Sequence, residues 1–399
     1  MAIPTHPSLE YILVGGVAAA GSYLLTPIAR QVAIRWGAVA SPRDRDVHAV
    51  AIPRMGGVAM FFGFAMAMFV AARLPTLHNS FQNGPEIPWI VLSGAIICAI
   101  GVLDDRYELD SLTKLAGQVL ATAIMVTRGG VQLAEIPVPW GADSGTFSPG
   151  RDLAIPLTIL FTVLTINAIN FIDGLDGLAA GVTAIGAASF FVFSYHLAIV
   201  NSQDVASAPT LLTAALVGTC VGFLPHNFFP ARVFMGDSGS MLVGLLLSAA
   251  AITATTTADP QVFTGASGSV PLALPLLIPI AVLIVPFLDL LLAIARRVGR
   301  GRSPFAPDKQ HLHHRLLELG HSHRRAVLLL YFWSALLAFG GVGFSIFRGP
   351  WVLIAMLGAG IVLGLLVLVV PRWQSRRRPP VPVPPPGHVA PTGAGRRGP

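Results

Sequence analysis

The sequence NAINFIDGLDGLAAG, residues 167–181, places asparagines and aspartates at intervals of three inside a strongly apolar part of the chain. It follows LAIPLTILFTVLTI, residues 153–166, and precedes VTAIGAASFFVFSYHLAIV, residues 182–200. Both flanking segments are continuous apolar runs without the alternation of a barrel strand, which favours membrane-spanning helices over β-strands. The stretch is therefore predicted to be a polar junction between two helices that cross a membrane.

The composition extends this prediction to the whole chain. Of the 399 residues, 54% are hydrophobic and 11% are charged, whereas soluble globular proteins carry about 25% charged residues. Eleven apolar spans predict an all-α, polytopic integral membrane protein, and the short fourth span could begin earlier, in SLTK. The spans cover approximately residues 9–29, 55–72, 88–103, 115–127, 153–169, 178–199, 210–226, 239–256, 271–295, 326–346 and 351–370.

The distribution of basic residues predicts the orientation. All but four of the 26 lysines and arginines lie on one side of the predicted spans, and basic residues favour the cytoplasm. The N-terminus is therefore predicted outside and the C-terminus inside. The membrane domain is assigned to residues 1–371, and the Pro- and Arg-rich tail 372–399 is predicted to be disordered. Since this bias accounts for the net charge of +7, no nucleic-acid partner is expected.

The polar side chains able to do chemistry are concentrated in the predicted cytoplasmic loops. In the first loop, SPRDRDVHAVAIPRMGG (41–57), His48 and Arg54 precede a glycine pair and could hold an anion. An ordinary positively charged inner loop is the alternative. In the second, GVLDDRYELDSLTK (101–114), Asp104 and Asp105 end an apolar span, where a carboxylate pair is costly unless it faces water or a cation. Lys114 offers a point charge for a phosphate, although helix-end charges at the interface are an alternative interpretation.

The third loop is the polar junction at residues 167–181. Its polar side chains recur every three residues and so share one face of a helix: Asn167, Asn170, Asp173 and Asp176. Gly174 and Gly177 allow the backbone to break or to approach a ligand closely. A simple polar turn between helices is the alternative.

The fourth and fifth loops add further candidates. In HNFFPARVFMGDSGS (226–240), Asp237 lies beside exposed backbone N–H groups, a setting suited to metal and phosphate, and Phe234 could stack on a ring or simply pack. The fifth loop, residues 296–326, holds clustered histidines that could suggest zinc, but no cysteine is near and many arginines favour pyrophosphate. Its candidates are His311, His313, His314 and Arg315.

The motifs DDRYELDSLTK, NAINFIDGLDGLAAG, FMGDSGS and HLHHR, in this order, resemble those of the polyprenyl-phosphate N-acetylhexosamine-1-phosphate transferases, glycosyltransferase family 4. The resemblance runs from about residue 41 to about residue 325. It implies that a polyprenyl phosphate oxygen attacks the β-phosphate of a UDP-sugar, releasing UMP and leaving a polyprenyl-pyrophosphoryl sugar. Mg²⁺ is the implied cofactor, with Mn²⁺ as a substitute.

The resemblance also implies residue roles. Asp237 would be the main metal ligand and Asn170 the second, and Lys114 would contact phosphate. Asp104 and Asp105 would position the lipid phosphate and remove any residual proton, and which of the two is the base is left open. The other implied substrate-binding residues are Gly174, Asp176 and Phe234 for uridine, His311, His313, His314 and Arg315 for pyrophosphate or sugar, and Asn227, Asn167, Asp173, His48 and Arg54. Asp173 is expected to support the site rather than to bind metal.

The run QHLHHR is the pattern of the N-acetylglucosamine branch, whereas the peptidoglycan branch typically has three histidines followed by a glutamate. The implied substrates are UDP-N-acetylglucosamine and undecaprenyl or decaprenyl phosphate, for the first lipid-linked step of an envelope polysaccharide. The implied location is a bacterial plasma membrane, with the active site on the cytoplasmic face and a homodimer left open. The alternatives are the phospho-N-acetylmuramoyl-pentapeptide transferase of peptidoglycan synthesis and a secondary transporter, which predicts polar residues at mid-bilayer depth.

Overall fold

The computed structural model is a bundle of helices. It describes residues 7–40, 51–82, 84–133, 136–137, 146–200, 207–257, 299, 322–347, 351–352, 354–360 and 362. Within these residues the main helices are α1 Pro7–Trp36, α2 Gly56–Ala71, α3 Asn79–Gln82, α4 Glu86–Tyr107, α5 Ser111–Gly129, α6 Gly150–Ile172, α7 Leu178–Val200, α8 Ala208–Asn227, α9 Gly236–Thr257 and α10 His323–Phe347. Four two-residue strands accompany them: β1 Val39–Ala40, β2 Ile52–Pro53, β3 Ile136–Pro137 and β4 Thr146–Phe147.

The helix lengths confirm the predicted class. Across the described residues, seven helices are long and apolar enough to cross a membrane: α1, α4, α6, α7, α8, α9 and α10. Helix α2 is a shorter apolar helix of 16 residues. The chain is therefore an all-α polytopic membrane protein. The predicted span 271–295 and the tail lie outside the described residues, so the count of eleven, the orientation and the domain boundary stay predictions.

Helix α5 begins earlier than the core of its predicted span, at Ser111. The reason is a side-chain cap, since Oδ1 of Asp110 accepts hydrogen bonds from the backbone N–H groups of Leu112 and Thr113, both at 3.0 Å. Aspartate at this position satisfies N–H groups that have no partner within the helix. The alternative start in SLTK is thus confirmed, and it puts Lys114 in the first turn of α5.

Helix α9 is the central helix of the described bundle. Its apolar window is completely buried, and it packs against α4, α6, α8 and α2. Glycines on its neighbours make this packing close, because a Cβ on Gly57 would overlap the backbone of Gly239 and a Cβ on Gly101 would overlap that of Ser238. Small residues let helix backbones approach in this way. The start of α9 is consequently fixed between α2 and α4.

A short β-ribbon ties the loops of this end together. β1 pairs antiparallel with β2, with Val39 opposite Pro53. The N–H of Phe234 donates to the carbonyl of Pro53 at 2.9 Å, and the N–H of Gly56 donates to the carbonyl of Phe234 at 3.0 Å. The α8–α9 loop is therefore attached to the segment that joins α1 to α2. The sequence did not predict these strands because two residues are too few to show a period.

Candidate active site

Polar residues from four parts of the bundle meet at one of its ends. They come from the last turn of α4, the first turn of α5, the last turn of α6 with the turn that follows, and the first turn of α9. Membrane helices favour apolar side chains along their length, and their polar groups lie where water or a cavity is near. This preference brings together motifs that lie far apart in the sequence.

Lys114 is the centre of a charged cluster. Its Nζ lies 3.0 Å from Oδ2 of Asp104 and 2.8 Å from Oδ2 of Asp237. Because the lysine side chain is only 19% exposed, solvent screens these ion pairs less than it screens surface pairs. The structure therefore places the predicted phosphate-binding lysine between two of the predicted catalytic carboxylates.

Asn170 completes this cluster from α6. Its Nδ2 donates a hydrogen bond to Oδ1 of Asp237 and another, at 2.8 Å, to Oγ of Ser240. The two residues that the resemblance implied as metal ligands, Asn170 and Asp237, are thus in direct contact. Ser240 was not singled out from the sequence, although it lies within the motif GDSGS.

The two neighbouring aspartates of α4 have different partners. Oδ1 of Asp104 accepts from the N–H of Leu109 at 2.9 Å, which leaves Oδ2 for Lys114. Asp105 instead accepts from the backbone N–H groups of Asp237 and Ser238, at 2.8 and 3.2 Å. Asp104 therefore belongs to the charged cluster, and Asp105 belongs to the start of α9.

The α6–α7 turn supplies two more carboxylates. Asp173 is partly exposed, and its low-dielectric surroundings raise the pKa of its carboxyl to about 8, with the negative charges of Asp237 and Asp105 adding to the increase. The guanidinium of Arg54 opposes this shift.

Asp176 is buried, and its Oδ2 accepts from the N–H of Ala231 at 2.9 Å. Asp176 thus connects this turn to the α8–α9 loop, while its predicted uridine role stays a prediction.

Asn227 makes a second connection between the same two loops. Its Oδ1 accepts from the N–H of Gly177 at 3.0 Å, and its Nδ2 donates to the carbonyl of Val233 at 3.0 Å. Gly177 has a positive φ of 78°, which glycine adopts without a steric cost. From α10, the hydroxyl of Tyr331 donates to the carbonyl of Gly177. The predicted functional amide therefore holds the backbone of the site, together with a tyrosine that the sequence did not indicate.

Three other predicted residues line the same end. Phe234 is half-buried and fixed by its backbone bonds, Gly174 is exposed, and Arg54 is partly exposed. Nη1 of Arg54 lies 4.0 Å from Oε1 of Glu108, whose side chain is 71% exposed. An exposed pair at this distance contributes little. All three residues are accessible in part, and their substrate contacts stay predictions.

Asn167 faces a neighbouring helix. Its Nδ2 donates to Oε1 of Gln118 at 2.7 Å and to the carbonyl of Val163 at 2.8 Å. Nε2 of Gln118 in turn lies 3.4 Å from Sδ of Met241 on α9. The amide pair thus links α5, α6 and α9 one turn below Asn170. The sequence indicated this amide pair only weakly, because Gln118 is an isolated polar residue within an apolar run.

The remaining predicted residues lie outside the described residues: His48, His311, His313, His314 and Arg315. Their roles stay predictions.

The donor set of the cluster fits a magnesium ion. The Asp237 carboxylate and the Asn170 amide offer hard oxygen ligands, and Mg²⁺ is usually held by one or two carboxylates together with substrate phosphates. Among the described residues, no three His, Cys, Asp or Glu side chains form a cage of their own. Lys114, between two carboxylates, indicates that positive charge is stabilised here.

Known proteins share the segment that forms this cluster. Residues 87–255, from the second residue of α4 to near the end of α9, match the model of glycosyl transferase family 4. The chain is 48% identical over 366 residues to the decaprenyl-phosphate N-acetylglucosaminephosphotransferase of Mycolicibacterium smegmatis, covering 92% of this chain and 89% of the relative. It is 47% identical over 364 residues to the protein of that name from Mycobacterium tuberculosis H37Rv, covering 91% and 89%.

A more distant relative carries a related name. The chain is 35% identical over 308 residues to the probable undecaprenyl-phosphate N-acetylglucosaminyl 1-phosphate transferase of Bacillus subtilis, covering 77% of both chains. The likeness therefore spans most of the chain and extends well beyond the motifs.

Proposed function

The chain belongs to glycosyl transferase family 4, and on that basis we propose that it transfers N-acetylglucosamine 1-phosphate from UDP-N-acetylglucosamine to a polyprenyl phosphate. The observation that carries the proposal is the cluster in which Lys114 joins Asp104 to Asp237. Phosphoryl transfer needs mainly alignment and charge neutralisation, which carboxylates, amides and a lysine provide.

The branch of the family follows from the relatives. Their names describe transfer of N-acetylglucosamine phosphate to decaprenyl or undecaprenyl phosphate. They support this donor over the N-acetylmuramoyl-pentapeptide donor of peptidoglycan synthesis, and they support an enzyme over a secondary transporter. Because the relatives with 46–48% identity are named for decaprenyl phosphate, we propose decaprenyl phosphate as the preferred acceptor.

The proposed reaction exchanges one phosphorus–oxygen bond for another. An oxygen of the lipid phosphate bonds to the β-phosphorus of the donor, and the bond from that phosphorus to the bridging oxygen breaks. The electron pair of the broken bond leaves with UMP. The sugar keeps its bond to the β-phosphate, so the product is polyprenyl-pyrophosphoryl-N-acetylglucosamine.

Asp237 and Asn170 are the residues that would hold Mg²⁺, or Mn²⁺ in its place. When bound, such an ion supplies positive charge to the pyrophosphate. Lys114, 2.8 Å from Asp237, adds a second positive charge from the protein itself. Charge-assisted hydrogen bonds from lysine to phosphate are strong, so Lys114 would hold the donor and neutralise the departing UMP.

Asp104 is the better placed of the two α4 aspartates to meet the lipid phosphate, because it shares Lys114 with Asp237. Its proposed role is to position that phosphate and to accept any residual proton. The demand for a base is small, since a phosphate monoester with a second pKa near 6 is mostly dianionic at about pH 7. The charge bias of the loops supports a cytoplasmic site.

The test is UMP release by purified protein in detergent or lipid. The reaction contains Mg²⁺ and decaprenyl phosphate, with either UDP-N-acetylglucosamine or UDP-N-acetylmuramoyl-pentapeptide as donor. Release only with the first is expected, and it should stop on chelation of the metal and in the Asp237→Asn variant. Release with neither donor from folded protein would reject the proposed function, and release only with the second would reassign the branch. A parallel reaction with undecaprenyl phosphate tests the acceptor.

A further inference from the structure

Asp104 and Asp105 point to different partners. Consecutive residues of an α-helix are separated by about 100° around its axis, and both lie in the last two turns of α4. Asp104 faces Lys114, and Asp105 faces the first turn of α9. The geometry therefore assigns different tasks to two residues that the sequence left interchangeable.

Asp105 has the contacts of a helix cap supplied by a neighbouring helix. Its Oδ1 accepts from the N–H of Asp237 at 2.8 Å. Its Oδ2 accepts from the N–H of Ser238 at 3.2 Å and from the hydroxyl of Ser238 at 2.8 Å. The first N–H groups of a helix have no partner within it, and a carboxylate at the positive end of the helix dipole satisfies them.

The packing leaves Asp105 little freedom to do anything else. The residue is 5% exposed. Gly236 has a positive φ of 70°, and a Cβ on it would overlap the Asp105 carboxylate. One turn earlier in α4, a Cβ on Gly101 would overlap the backbone of Ser238. Both glycines therefore bring the carboxylate of α4 against the start of α9.

We propose that Asp105 is a positioning residue: by capping α9 it fixes the backbone of Asp237 and so directs the Asp237 carboxylate to Lys114 and Asn170. This inference rests on the proposed function for its effect on catalysis. The contact itself does not, because the cap is made only of protein atoms. Asp105 then acts through Asp237 and neither touches substrate nor exchanges a proton with it.

The test compares Asp105→Asn with Asp105→Ala. Asparagine is as good a cap as aspartate, whereas alanine is a poor one. We expect kcat to fall about tenfold in Asp105→Asn and about a hundredfold in Asp105→Ala, because asparagine keeps one acceptor for the N–H of Asp237. The pH dependence of kcat should keep its shape in both variants, since no proton-transferring group is removed.

Two further measurements separate positioning from mere stability. Hydrogen exchange by mass spectrometry on peptides that contain Asp237 and Ser238 should show faster exchange in Asp105→Ala and an intermediate rate in Asp105→Asn. Glu10→Gln is the matched control, because Glu10 is also a buried carboxylate that caps backbone N–H groups, but far from the cluster. It should lower the melting temperature while the kcat of the folded enzyme stays unchanged.

Several results would overturn the proposal. Equal loss of activity in both Asp105 variants, together with loss of one limb of the pH profile, would make Asp105 an acid–base group. Unchanged kcat of the folded variants would make it structural only, and unchanged exchange at Asp237 and Ser238 would remove the cap. If the native protein releases no UMP, the proposed function fails, but the exchange measurement still decides whether Asp105 caps α9.

Discussion

Both ends of the described helix bundle bury a carboxylate on backbone N–H groups, and at one end this carboxylate binds the backbone of a residue in the charged cluster. At the end far from the cluster, Glu10 of α1 accepts from the N–H of Thr76 at 3.1 Å and of Leu77 at 3.0 Å, and it is 2% exposed. At the other end, Asp105 caps α9 in the same manner. The two carboxylates are alike in burial and in accepting from two consecutive backbone N–H groups.

Their surroundings differ. Asp105 binds the backbone of Asp237, the residue whose side chain contacts Lys114 and Asn170. Glu10 binds the backbone N–H groups of Thr76 and Leu77, in the short segment that follows α2. A buried carboxylate is therefore not by itself a sign of chemistry. The sign is the convergence of side chains of different charge and type on one point, which residue burial alone does not reveal.

The strongest test of this difference is Asp237→Asn. The substitution keeps the shape of the side chain but removes the charge that faces Lys114 and Asn170, so we expect kcat to fall about a thousandfold while the protein stays folded. UMP release and thermal unfolding should be measured on the same sample. Retention of more than a tenth of the activity would show that the cluster is not the catalytic centre.

Lys114→Met should have the next largest effect. It leaves Asp104 and Asp237 facing each other without a cation, so we expect kcat to fall about a hundredfold and the melting temperature to drop. Adding Asp104→Asn should restore much of the melting temperature but none of the activity, because it relieves the repulsion without replacing the cation. A double variant no more stable than Lys114→Met would argue that the two carboxylates do not interact.

Glu10→Gln examines the opposite end. Loss of the charge weakens the bonds to Thr76 and Leu77, so the free energy of unfolding should fall by about 1–3 kcal/mol. The kcat of the folded enzyme should not change. A selective fall in kcat, without a fall in stability, would mean that the two ends are coupled and do not have separate roles.

The smallest effect is expected at Asp110, an exposed cap. Hydrogen bonds from the side chain and backbone of Thr113 hold the pKa of its carboxyl below the ordinary value of 3.8. The folded state thus binds this proton less tightly than the unfolded state, so the ionised group stabilises the fold above the ordinary pKa, and this contribution is lost as the pH falls through the folded-state pKa.

Asp110→Asn keeps the cap and removes the charge. The melting temperature of the native protein should therefore exceed that of the variant at neutral pH, and the two should converge as the pH falls to 3.8 and below. Unfolding scans across this range measure the difference. A difference in melting temperature that grows as the pH falls would show that folding raises the pKa of Asp110 instead of lowering it.

Much of the cluster could be predicted from the sequence. Asp104, Lys114, Asn170 and Asp237 each lie at the end of an apolar span, where a polar side chain can reach water, and the alternating direction of successive spans puts these four ends on the same side of the bundle. The spans themselves were visible because an apolar run of about 20 residues matches the thickness of a bilayer when it is helical. The depth of these side chains in the membrane could thus be predicted from the positions of the apolar spans in the sequence.

Contacts around the helix axis were harder to predict. The separate roles of Asp104 and Asp105 follow from the rotation of about 100° between consecutive helical residues, but the partner of Asp105 depends on which helix packs there. The connections made by Gln118 and Tyr331 depend on the same packing. Glu10 was missed because a single acidic residue near the start of a span also fits an exposed position.

The burial of α9 has a consequence for how the enzyme responds to its bilayer. The window of α9 is wholly enclosed by protein, whereas two-thirds of the windows of α1 and α6 remain outside the protein core. Hydrophobic mismatch acts on surfaces that touch lipid, by tilting helices or deforming the bilayer around them. Changes in membrane thickness would thus be absorbed by the outer helices. The helix that begins with Gly236 and Asp237 has no such surface in its apolar window, so a change in the thickness of the bilayer acts on it only through the outer helices.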